Sequence, residues 1–147
     1  MIRKRNRLEC YTYDAHGFYF ITVCTWNKEK LFWENNEPCR VPVLSEYGRC
    51  VEKYLCKIES VYPSVSVDKY AIMPNHIHMI LHLTAEHGAN VSNVIQNFKR
   101  AVTMELGKSV WQRNFYDHVI RGERDYRKIW TYIDGNPQKW SEDCYFE

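Results

Sequence analysis

The spacing of apolar and polar positions divides the chain into seven segments. The stretch "FYFITVCTW", Phe18 to Trp26, is β-branched and aromatic and predicts a first strand. Ser45 is placed to cap a helix on which Val51, Tyr54, Leu55 and Ile58 recur at helical spacing, ending before Pro63. "VSVDKYAIM" and "HIHMILHLT" read as two further strands, and Pro74 and Asn75 between them predict a tight antiparallel hairpin. Val91, Val94, Ile95, Phe98, Val102 and Leu106 form one face of a second long helix, stopped at Gly107. A short strand over Phe115 to Ile120 and a last helix from about Asp125 to Gly135 complete the chain. This order predicts an α+β, ferredoxin-like sandwich: an antiparallel sheet of four to five strands with helices packed on one face.

Composition changes this picture little. No repeat or Gly/Ser linker divides the 147 residues, so one domain spanning 1–147 is expected. The net charge of +2 gives a weak overall field, so affinity for polyanions has to come from local patches such as "MIRKRNR". The six cysteines include no C-x-x-C pair, and reduced thiols are expected. No apolar run approaches the roughly 20 residues that span a bilayer. The chain opens with no charged-then-apolar leader, so a cytoplasmic protein with no membrane association is expected.

The candidate chemistry begins in "MPNHIHMILHL". Alternate side chains of a strand share a face, so His76 and His78 point one way and Ile77, Met79, Leu81 and Leu83 the other. Imidazoles at i and i+2 can offer two nitrogens to one metal ion. For an isolated pair of this kind the more common role is that of satisfied polar groups on a half-exposed strand, so the pair alone does not make a metal site. A histidine-triad hydrolase needs a third histidine where Ile80 stands, and a cupin needs an acid shortly after the pair, where Leu81, His82 and Leu83 stand. His82 lies about 13 Å along the strand from His78 at about 3.3 Å per residue, too far to share an ion. In the last helix Tyr132 and Asn136 are four apart and share a face.

Together "MPNHIHMI" and "VWQRNFYDHVIRGERDYRKIWTYIDGNPQKW" resemble the His-hydrophobe-His (HUH) and closing motifs of single-tyrosine DNA transposases, in particular the REP-associated tyrosine transposase branch. "VIQNFKRAVT" resembles the helix between them, and the likeness runs from about Phe18 onward. The resemblance implies that His76, His78 and Asn136 hold a divalent metal, Mg²⁺ or Mn²⁺, and that Tyr132 is the nucleophile. It implies cleavage and rejoining of single-stranded DNA near hairpins or palindromic elements through a 5′-phosphotyrosine, by a monomer or a homodimer. The alternative is a domesticated hairpin-binding protein that does not cut. One departure from the pattern is Gly135, where a charged or polar helix former is expected.

Around these residues, Lys99, Arg100, Arg113, Arg121, Arg124, Arg127 and Lys128 are candidate phosphate contacts, each also readable as part of a solvated face. Trp111, Phe115, Tyr116 and Trp140 are candidates for stacking unpaired bases, and equally for the core. His118 is a candidate support for the site through a hydrogen bond. Tyr116 and Tyr126 are rival nucleophiles.

Overall fold

The computed structural model describes residues 17–84 and 90–142. The N-terminal basic stretch, Cys10 and Cys144 fall outside these residues. The elements are β1 (Gly17–Cys24), α1 (Glu46–Cys56), a single-turn α2 (Ile58–Val61), β2 (Val65–Ile72), β3 (His76–Leu83), α3 (Val91–Leu106), β4 (Tyr116–Ile120) and α4 (Glu123–Gly135). A short 3-10 segment, Pro137–Glu142, follows. The sheet order is β2-β3-β1-β4 with every neighbouring pair antiparallel, which is the ferredoxin-like α+β arrangement.

Burial follows the period-2 pattern on one face. Tyr19, Ile21 and Val23 of β1 meet Ile77, Met79 and Leu81 of β3 in the core. α3 supplies Val91, Val94, Ile95, Phe98 and Val102 to the same core. Its ends are set locally: the Asn90 side chain accepts the Asn93 N–H at 2.9 Å, and Gly107 closes it at φ 78°. α1 is capped by Ser45, whose hydroxyl accepts the Gly48 N–H at 3.1 Å.

α1 approaches the chain before it closely at Gly48. A Cβ there would lie 2.1 Å from the Phe32 carbonyl oxygen, which already accepts the Ser45 N–H at 2.8 Å. Backbone cannot yield as a side chain does. Gly48→Ala is therefore expected to destabilise the fold by about 2–3 kcal/mol in urea unfolding.

α1 and α4 lie on opposite faces of the sheet, and two adjacent residues of β2 show it. Tyr70 donates its hydroxyl to Glu52 of α1 at 2.8 Å, whereas Lys69 donates to Asp134 of α4 at 2.7 Å. α3 packs beside α1, so two helices cover the core face and the last one crosses the face that carries the histidines. A register shift between Val67 and Lys69 brings this about, because it turns Lys69 to the side of its β3 partner Ile80. Among the described residues no helix is long and apolar enough to cross a membrane, and Cys24, Cys39, Cys50 and Cys56 form no disulfide.

Candidate active site

The Pro74–Asn75 hairpin sets the start of β3. Met73 donates its N–H to the His76 carbonyl at 2.8 Å, while Leu31 and Phe32 both donate to the Pro74 carbonyl and Thr25 to that of Asn75. This fixed turn delivers His76 and His78 side by side on one face, both buried. Their Nε2 atoms stand 3.2 Å apart. Nδ1 of His76 lies 2.8 Å from Asn75 Oδ1, an acceptor, a contact that the Nδ1–H tautomer satisfies. Nδ1 of His78 lies 2.9 Å from the Thr22 hydroxyl, which accepts its N–H in the matching tautomer. With both rings in these tautomers two lone pairs converge on one point, whereas a proton on either Nε2 makes the same 3.2 Å contact a hydrogen bond.

That convergence fits an ion. Two nitrogens each about 2.1 Å from a shared cation, at tetrahedral to octahedral angles, lie about 3.0–3.4 Å apart. Among the described residues no cluster of three His, Cys, Asp or Glu surrounds the pair. Asn136, the residue that the resemblance adds to the pair, is 4% exposed, and its amide nitrogen is buried with no hydrogen-bond partner among the described residues. Its position is bracketed. Tyr132, four residues earlier, places its ring 5.4 Å from that of His78, and Trp140, four residues later, places its ring 6.2 Å from that of His76. Gly135 is the last residue of α4, and Asn136 caps it by donating its N–H to the Ile133 carbonyl at 3.2 Å, a tightened last turn.

α4 buries little apolar surface, Ile133 being its one fully buried residue, so polar and aromatic contacts fix its position. Tyr126 donates to Asp68 in the β2 bulge at 2.8 Å, and Lys69 both pairs with Asp134 and lies 4.1 Å over the Trp130 ring. So docked, the helix presents Tyr132 edge-on to Phe20 with ring centres 6.2 Å apart. Tyr132 is 43% exposed and lines an open cleft of about 330 Å³ with Phe20, Thr22, His78, Tyr116 and His118.

No family model matches the chain. A Haemophilus influenzae protein described as uncharacterized is 33% identical, over 96% of this chain and 91% of its own length. The REP-associated tyrosine transposase of Escherichia coli K12 is 29% identical, over 82% of this chain and 70% of its own length. The chain is similar to REP-associated tyrosine transposases, a second of which, a putative one from Haemophilus influenzae, is 28% identical over 84% of this chain and 71% of its own length. Its fold agrees with the structure of a REP-associated tyrosine transposase bound to a REP hairpin: the TM-score is 0.71 at 24% identity, covering 95% of this chain and 74% of the other.

Around this cleft the remaining candidates separate. Tyr126 is bound to Asp68 and stacks edge-on against Phe18, at the far end of the sheet from His76. Burial and that carboxylate push its pKa up to about 12, which disfavours the phenolate. Tyr116 stands in the same cleft as Tyr132 but on the sheet. His118 hydrogen-bonds Asp125 through Nε2 at 3.1 Å, in the wall of the cleft. His82 stacks on Phe18 at 4.0 Å, distant from the pair.

Lys99 departs from the expectation of a phosphate contact. It is 7% exposed, and its ammonium donates to the Gln112 and Arg113 carbonyls at 2.9 and 3.1 Å. Burial lowers its pKa. It ties α3 to the segment before β4. Arg100 and Arg113 line an exposed groove beside it, whereas Arg127 pairs with Glu123 on α4 and Arg121 follows β4. The basic residues thus occupy separate surfaces.

Thr22 and Asn75 are the residues that the sequence did not mark as part of the site. Asn75 had a signal, since it directly precedes His76. Thr22 had none, because only the β1–β3 register places it opposite His78.

Proposed function

We propose that the chain is a transposase-like endonuclease and strand transferase that cuts and rejoins single-stranded DNA near hairpins. The reading rests on one arrangement: two converging imidazole nitrogens and a solvent-reachable tyrosine in a single cleft. The hairpin-bound relative supports a hairpin as the DNA partner.

In this reading the Tyr132 oxygen attacks phosphorus and loses its proton, the bond from phosphorus to the 3′ oxygen breaks, and that oxygen departs as a 3′-hydroxyl. The product is a 5′-phosphotyrosine. One phosphodiester replaces another, so the step runs in either direction without an energy source. A phenol of pKa about 10 is only about one part in a thousand ionised at pH 7, so the attack needs a polarised phosphate. His76, His78 and Asn136 would hold the Mg²⁺ or Mn²⁺ that, when bound, polarises the scissile phosphate and stabilises the leaving oxygen. Two neutral imidazoles and an amide leave the positive charge of that site undiminished for DNA. In the tautomers that keep both Nε2 atoms bare, Asn75 and Thr22 accept from the two Nδ1 atoms, and Phe20 positions the Tyr132 ring.

The test is a hairpin oligonucleotide with single-stranded flanks, labelled at either end and run with the protein on a denaturing gel. A covalent adduct carrying the 3′ portion is expected, and chelation should remove it. Binding with no adduct in Mg²⁺ or Mn²⁺ would favour the non-cutting alternative. A hydrolysed product with a free 5′-phosphate would exclude the tyrosine route. A companion prediction concerns Thr22. Thr22→Val, which removes the hydroxyl behind His78, is expected to weaken Mn²⁺ binding about 10- to 100-fold in calorimetric titration, with the fold retained.

A further inference from the structure

Of the four aromatic residues that the sequence offers for base stacking, three are committed elsewhere. Trp111 and Trp140 are buried in the core, and Phe115 packs against it. Tyr116 is 68% exposed. Among the described residues its ring makes no aromatic or cation contact, so the fold gains little from it. Its place is specific all the same. Tyr116 on β4 pairs with Thr22 on β1, and Thr22 pairs with His78 on β3. Directly paired residues share a face, so Tyr116, Thr22 and His78 form one row across the sheet, with Tyr116 about 10 Å from His78 at about 4.8 Å per strand.

The next row completes a recess. Phe20 pairs with His118, and both side chains line the cleft behind Tyr116. The His118 ring is held by Asp125, whose carboxylate also accepts the Arg121 N–H at 3.2 Å. Tyr132 forms the opposite wall. β4 ends the sheet, so the recess opens to solvent beyond Tyr116. The rings of Phe20, His118, Tyr116 and Tyr132 line the recess together with Thr22, His78 and Asp117, and they suit a flat ligand with polar edges, which an unpaired nucleobase is.

We propose that Tyr116 and the Phe20–His118 row form a subsite that stacks the unpaired base next to the scissile phosphate. The proposal rests on the reading of Tyr132 as the cutting residue, which makes that phosphate the neighbour of the recess. Stacking there would hold the strand in line for attack and add affinity for the single-stranded flank, with little dependence on which base is present.

The experiment uses the full chain as Tyr132→Phe, so that binding is read without cutting. A hairpin oligonucleotide with single-stranded flanks is made with one abasic nucleotide at each flank position in turn, and affinities are measured by fluorescence anisotropy. One position is expected to lose about 5- to 100-fold in affinity on removal of its base. Adding Tyr116→Ala should impose a similar loss on the intact oligonucleotide and erase the penalty at that position alone, while Tyr116→Trp retains it. Equal abasic penalties with and without Tyr116→Ala would overturn the subsite, as would a loss in Tyr116→Ala spread evenly over all positions. The two readings fail separately. Coupling at one position without any adduct from the parent protein leaves the subsite and removes the nuclease; an adduct without coupling does the reverse.

Discussion

Tyr132→Phe is expected to lower formation of the covalent protein–DNA adduct at least about 1,000-fold while leaving affinity for the hairpin within about twofold. The substitution removes one oxygen from a ring that keeps its edge-on contact with Phe20 and its place 5.4 Å from His78, so the cleft retains its shape. Neither rival tyrosine is placed to compensate. Tyr126 is tied to Asp68, with its pKa pushed up to about 12. Tyr116 is two strands from His78 and belongs to the sheet, and a backbone in register between Thr22 and the β4 edge does not shift as a side chain on a helix does. A hydrolase that uses water instead would be indifferent to the substitution, so rate and affinity measured together separate the two mechanisms.

His78→Ala is expected to have an effect of the same order by a different route. It removes one of the two converging nitrogens and leaves the buried Thr22 hydroxyl without its imidazole partner. Mn²⁺ affinity should fall by more than the loss expected for Thr22→Val, that is, by more than about 100-fold, and adduct formation should fall with it. A stability loss of about 1–3 kcal/mol should accompany this, because a buried polar group loses its partner. His78→Gln separates the two effects: the amide occupies much of the same volume and can meet Thr22, so stability should largely return while metal affinity and cutting stay low. If His78→Ala binds Mn²⁺ as the parent does, the imidazole pair is only a buried polar contact.

Much of the fold was legible because two periodicities carry it. The period of two in "HIHMILHL" separated the histidine face from the core face, and the helical spacing from Val91 to Leu106 marked α3 together with its stop at Gly107. The side of the sheet covered by the last helix was not legible. α4 buries Ile133 and little else, and is docked by Tyr126–Asp68 and Lys69–Asp134, pairs 58 and 65 residues apart in sequence. Such contacts leave no periodic trace, and the bulge that aims Lys69 is visible only in the pairing register. Lys99 misled for a related reason. A lysine beside an arginine on an amphipathic helix looks solvated, and only the path of residues 112–113 shows that its ammonium answers two backbone carbonyls. Tyr132 and Asn136 were marked by spacing and by their resemblance to a motif, whereas Thr22 needed the paired strands.

The central claim is that the phenol oxygen of Tyr132 becomes joined to the 5′ end of a cut DNA strand. Proteolysis of the trapped complex followed by mass spectrometry of the nucleotide-bearing peptide tests it most directly. The expected product is a nucleotide fragment from the 3′ side of the cut, attached at Tyr132 in the peptide that contains Ile133. Attachment at Tyr116 or Tyr126, or cut DNA with no protein attached, would contradict it.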